Sequence, residues 1–143
     1  MNLDVEQVDK NVCSSASTNN ITVRVEPSYV PKEEVEGSEE GKNYFRYKVV
    51  ITNENSFSVK LISRYWLIIN AEGESEEVEG PGVVGRYPYI TPKESYSYHS
   101  YCALDTDWGT MEGFYIMMRE DGSVFKAKIS RFYLVKKQAN SDL

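Results

Sequence analysis

Residues 77–90 read E-V-E-G-P-G-V-V-G-R-Y-P-Y-I and contain G-x-G-x-x-G at Gly80, Gly82 and Gly85, the spacing of dinucleotide-binding loops. Such a loop works only where a buried strand leads into the glycines and a helix begins on them, so that helix N-terminal N–H groups meet a pyrophosphate. Neither flank qualifies. The preceding residues, N-A-E-G-E-S-E-E-V-E, are acidic and turn-like, whereas a parallel strand would be a near-continuous apolar run. Pro88 and Pro92 occupy the stretch where the helix would run, and a proline inside a helix costs about 3 kcal/mol or more. Glu74, Glu76, Glu77 and Glu79 would also repel a polyphosphate. An acidic residue about 20 positions past the glycines, Asp105, matches the fingerprint in letter, but proline-broken, tyrosine-rich sequence lies between.

Working outward, the chain alternates with a period of two. I-T-V-R-V-E-P puts Ile21, Val23 and Val25 on one face and Thr22, Arg24 and Glu26 on the other, as in a half-buried strand. P-K-E-E-V-E-G-S-E-E-G-K-N is an acidic, glycine-punctuated loop, after which Phe45, Tyr47, Val49 and Ile51 resume the alternation. N-E-N-S at residues 53–56 is turn chemistry. The run from Phe57 to Asn70 is rich in β-branched and aromatic residues, which predicts a central strand. S-Y-S-Y-H-S-Y-C is a tyrosine-rich strand, and M-E-G-F-Y-I-M-M-R-E pairs with S-V-F-K-A-K-I-S-R-F-Y-L across Asp121-Gly122. Seven to eight short strands with no sustained helical period predict an all-β fold: an immunoglobulin/fibronectin type III-like β-sandwich of two antiparallel sheets.

The sandwich is expected over 21–135, with a mobile polar leader over 1–20 and a polar tail over 136–143. With 143 residues, 41% apolar and 27% charged, the chain is long enough for one core without disulfide or metal. The net charge of -6 argues against nucleic acid, and the cluster Lys126, Lys128, Arg131, Lys136 and Lys137 reads as a solvated strand face and tail. No signal-like or membrane-length apolar segment is present, so a cytoplasmic protein with no membrane partner is expected. Cys13 and Cys102 then read as free thiols.

Taken together, V-E-P-S-Y-V-P, I-T-N-E-N-S-F-S-V-K-L-I-S-R-Y-W-L-I, the stretch from Glu77 to Tyr98 and G-T-M-E-G-F-Y-I-M resemble the ApaG family over about Ile21 to Leu134. The R-x-W pair, the glycine loop and G-T-M-x-G carry the resemblance. It implies a fibronectin type III-like sandwich, and it makes the glycine triad a family feature rather than a proven nucleotide site. The family's names are linked to diadenosine tetraphosphate and to cobalt and magnesium resistance, neither being a demonstrated activity of the domain. Its occurrence as a domain in larger eukaryotic proteins implies a protein partner. His99, Tyr101, the bulky D-T-D-W-G-T stretch and a longer leader depart from the family pattern and bear on ligand specificity.

Enzyme activity is not expected. His99 is the one imidazole, so no Ser-His-Asp or Cys-His set can be assembled without it, and it alternates with Tyr98 and Ser100 as a strand-surface residue would. No close cysteine pair or calcium-type loop is present, so neither a resident metal nor a cofactor is expected. The row Glu74, Glu76, Glu77 and Glu79 is a weak divalent-cation candidate at most. Two binding readings remain. One is a non-enzymatic module for protein–protein interaction, using a sandwich edge or the tyrosine-bearing loop, with Tyr87, Tyr89 and Tyr98 as contact surface. The other is a sensor for pyrophosphate or a nucleoside polyphosphate. Its anion would sit on loop N–H groups at Gly80, Gly82 and Gly85, with Arg86 or Arg64 as counter-charge, tied indirectly to cobalt/magnesium homeostasis. Arg64 has a structural alternative, anchoring the glycine loop while Trp66 fills the core. A dimer through strand edges is compatible with the sequence, as is a monomer.

Overall fold

The computed structural model describes residues 11–137. Its strands are β1 (Ser14–Thr18), β2 (Ile21–Val30), β3 (Asn43–Asn53), β4 (Val59–Asn70), β5 (Ser75–Pro81), β6 (Tyr89–Ile90), β7 (Ser95–Leu104), β8 (Trp108–Arg119) and β9 (Val124–Val135). One short 3-10 turn, Lys32–Glu34, lies in the acidic loop. One antiparallel sheet has the order β1-β2-β3-β7. The other has the order β5-β4-β8-β9, with β6 pairing on β4. This is the sandwich expected from alternation, with nine strands among the described residues rather than seven to eight.

The core is the alternation made solid. Ile21, Val23 and Val25 of β2 and Phe45, Tyr47, Val49 and Ile51 of β3 meet Leu61, Trp66, Met111, Tyr115, Met117 and Phe132 of the other sheet, all 5% exposed or less. Trp66 lies edge-on to Tyr47, Tyr115 and Phe132, with ring centroids 5.4, 6.3 and 5.8 Å apart, so one indole ties the sheets together. Fully buried Asn53 closes the β3–β4 turn. Its Nδ2 donates to the carbonyls of Phe57 and Ile90, and its Oδ1 accepts from the Asn55 amide.

Two bulges set which side chains face inward. The register between β4 and β8 shifts between Leu61 and Ser63, so Val59 and Leu61 face the core before it and Trp66 after it. Because Arg64 shares the phase of Trp66, the bulge also turns Arg64 toward the other sheet. Between β8 and β9 the register shifts between Met111 and Gly113. A β-carbon at 113 would lie 1.9 Å from the Tyr65 carbonyl oxygen, so the second glycine of G-T-M-x-G is where β8 presses onto β4.

Two expectations require correction. Within the leader expected over 1–20, Ser14–Thr18 is an edge strand paired residue by residue with Ile21–Val25. An edge strand can be hydroxyl-rich because one face stays in solvent: Ser17 shares a 2.7 Å hydrogen bond with Thr22, and the Thr18 hydroxyl accepts from the Lys128 amide. Likewise S-E-E-V-E-G is no turn but β5, an edge strand on which Val78 packs against the core and the glutamates are exposed. Residues 1–10 and 138–143, the rest of the leader and most of the tail, lie outside the described residues.

The two sheets meet at two flanks. At one, β9 is bonded across the gap to the segment entering β1, by the Tyr133 amide to the Val12 carbonyl (3.0 Å), and to β1 itself by the Lys128 amide to the Thr18 hydroxyl (3.2 Å). At the other, the edges are β5 and β7, with the glycine loop at its β5 end.

Candidate functional site

The glycine loop is a hairpin turn. Val83 and Arg86 exchange both backbone hydrogen bonds at 2.9 Å, and the two residues between them, Val84 and Gly85, have φ of 47° and 76°. Positive φ at both central positions is the type I′ pattern that suits the right-handed twist of a hairpin. Each glycine has its own reason. Gly85 takes positive φ in the turn. Gly82 has φ of 60°, and a β-carbon there would lie 2.2 Å from the Arg86 carbonyl oxygen. Gly80 is in extended β5, and a β-carbon there would lie 2.9 Å from Arg64 Nη2.

Arg64 is what holds the loop. Its Nη1 donates to the carbonyl oxygens of Pro81 and Gly82, each at 2.9 Å, while the Gly82 amide donates back to the Ile62 carbonyl at 2.8 Å. The guanidinium thus faces carbonyls. The Val83 and Arg86 amides are spent inside the loop and that of Gly82 on β4, and those of Val84 and Gly85 take no part in these bonds. An anion nest is built from unbonded N–H groups, and the Gly82 amide is already committed to Ile62. Arg86 is exposed, on the far side of the turn.

Behind Arg64 lies a group of tyrosines. The Tyr98 and Tyr115 hydroxyls share a short hydrogen bond, and burial pushes both phenols well above their ordinary range. The Arg64 charge opposes that rise at Tyr98, Tyr115 and Tyr47 without cancelling it. Tyr98 is therefore not free contact surface, since its ring packs against the core. Tyr87 and Tyr89 differ: they are 52% and 61% exposed, and Val84, which sequence reasoning passed over, is 62% exposed. Lys60 Nζ stands 5.9 Å from the Tyr87 ring centre.

The remaining candidates do not converge. His99 is exposed, with Tyr101 edge-on to it at 5.9 Å. The Cys102 thiol, half-buried and near the Glu76 carboxylate, is pushed up to about 12, which keeps it protonated and poorly nucleophilic at neutral pH. The acidic row splits as strand alternation demands. Glu77 accepts from the Tyr65 hydroxyl at 2.5 Å, Glu76 points the other way toward Cys102, and Glu74 is bound through Asn70, which also bonds Asp105. Among the described residues no group of three His, Cys, Asp or Glu side chains is placed to hold a metal ion, and no helix is long and apolar enough to cross a membrane.

The molecule is thus a fibronectin type III-like sandwich whose glycine hairpin is pinned by an arginine from a central strand. A family model of the ApaG domain matches residues 33–119, and the chain belongs to that family. It is 43% identical over 122 residues to Protein ApaG of Anaeromyxobacter dehalogenans strain 2CP-C, covering 85% of this chain and 94% of the relative. To Protein ApaG of Bdellovibrio bacteriovorus it is 44% identical over 107 residues, covering 75% and 83%. The crystal structure of an ApaA protein from Bordetella pertussis superposes with a TM-score of 0.75 at 40% identity, covering 83% of this chain and 95% of that one. These relatives carry no enzymatic name.

Proposed function

We propose that this ApaG chain is a non-enzymatic module that binds another protein through the tip and exit of the glycine hairpin. The observation that carries this reading is the exposure of Val84, Tyr87 and Tyr89 on a backbone that is itself tightly bonded. Exposed apolar and aromatic groups on a rigid hairpin offer contact area at little entropic cost on binding. A β-branched residue at positive φ supports it too, since local strain of about 1–3 kcal/mol persists where the surroundings over-determine it and collects at functional positions. The arrangement gives less support to a pyrophosphate sensor, because Arg64 and most loop amides already have partners.

The test is a photo-crosslinking residue placed at Tyr89 in the full chain, with and without Val84→Asp. Partners captured by the first protein and lost with the second support the reading. The same partners from both, or none from either while calorimetry shows pyrophosphate binding, would sink it.

A further inference from the structure

A sheet edge left unpaired invites another strand, and natural sandwiches blunt such edges with charge, proline, bulges or cover. Three of the four edges here are managed. β5 carries Glu76, Glu77, Glu79 and Pro81, while β1 and β9 are bonded to each other across their flank. Among the described residues β7 has none of these devices. Its ten residues, S-Y-S-Y-H-S-Y-C-A-L, include no charge and no proline, and it pairs with β3 from Asn43↔Leu104 to Thr52↔Ser95 without a register shift.

We infer that β7 is a self-association edge. Two copies of the chain join antiparallel, β7 against β7, about a two-fold axis at Ser100, so that the β1-β2-β3-β7 sheets of both copies run on as one. The charges that flank the strand select a second copy in this register. The Arg64 charge is felt at Tyr98, and that of Glu76 at Cys102, four residues further along β7. The same interval separates their places on the facing sheet, where Arg64 is opposite Gly80 and Ile68 is opposite Glu76. On the inward face of the flank Arg64 therefore stands toward one end and Glu76 toward the other.

A two-fold axis at Ser100 sets Tyr98 opposite the partner's Cys102, which turns each Arg64 end toward the Glu76 end of the other copy. On the outer face it sets His99 opposite the partner's Tyr101, and Ser97 opposite the partner's Ala103. No like charges oppose each other on the paired strands. β7 itself contains none of Val84, Tyr87 and Tyr89.

The test uses sedimentation velocity of the full chain across the micromolar to millimolar range, with two double variants at exposed positions. His99→Lys/Tyr101→Lys puts lysines opposite each other twice across the axis, and His99→Glu/Tyr101→Glu does the same with glutamates. Like charges directly opposite weaken strand pairing, so each variant alone should associate about ten-fold more weakly or worse. An equimolar mixture restores opposite-charge pairs and should recover the dimer. Three outcomes would each overturn the inference: a wild type that stays monomeric, variants that dimerise as wild type does, or a mixture that stays monomeric.

Discussion

The Arg64 guanidinium rests directly on Gly80: a β-carbon at that glycine would lie 2.9 Å from Nη2 and 3.1 Å from Cζ and Nη1. The first glycine of the triad therefore gives passage to an arginine, not to a phosphate. Gly80→Ala should push the guanidinium off the Pro81 and Gly82 carbonyls and destabilise the fold by about 1–3 kcal/mol, with Arg64→Ala in the same range. Because both changes break the same contact, the double variant should lose about 1 kcal/mol less than the sum, read by urea denaturation. Full additivity would show that Arg64 holds the loop independently of Gly80.

Val84 sits at the first central position of a type I′ turn, with φ of 47°. Val84→Asn supplies a residue suited to that conformation and should raise stability by about 0.5–1 kcal/mol, seen as a higher Tm. Gly82→Ala should cost more than about 2 kcal/mol, since its β-carbon would also strike the Arg86 carbonyl. If partner binding falls as Val84→Asn stabilises the fold, the strained valine is retained for contact rather than for folding. A Tm that drops in Val84→Asn contradicts the turn assignment.

Alkaline pH should expose the tyrosine cluster. Burial raises the folded-state pKa of Tyr98 and Tyr115 above the ordinary value of 10.0, and that of Cys102 from 9.0 to about 12. For acids raised in the folded state, the native protein keeps its protons while the unfolded chain loses them. Stability is therefore level below pH 9, starts to fall between pH 9 and 10 through Cys102, and falls faster above pH 10 as the tyrosines join. Each group adds about 1.4 kcal/mol per pH unit until its folded pKa is reached. Denaturant midpoints measured from pH 8 to 11 should show this break, and Tyr98→Phe should lessen the slope above pH 10. An unchanged slope in Tyr98→Phe would exclude that phenol from the linkage.

Much of this was legible in single residues. Phe45, Tyr47, Val49 and Ile51 announce their face by alternation, and Asp121-Gly122 marks the β8–β9 hairpin where it stands. β5 reads as turn in the sequence because its glutamates mask a strand whose one inward apolar residue is Val78, and an edge strand can present charge freely. β1 was hidden the same way by serines. The hairpin at Val83–Arg86 went unseen because Val-Gly replaces the usual Asn-Gly, so the strained residue carried no turn signal.

The sequence by itself determined a β-sandwich and excluded a phosphate-binding helix, because alternation and the prolines at 88 and 92 act on neighbouring residues through the backbone alone. Only the tertiary structure decided what the glycines are for. Whether Arg64 faces solvent or the Tyr98–Tyr115 pair depends on a bulge at Leu61/Ser63, and a bulge exists only in the pairing of β4 with a strand some fifty residues away. The same holds for edges: β7 and β1 are both uncharged, yet contact with β9 covers one, while among the described residues no strand pairs on the open side of the other.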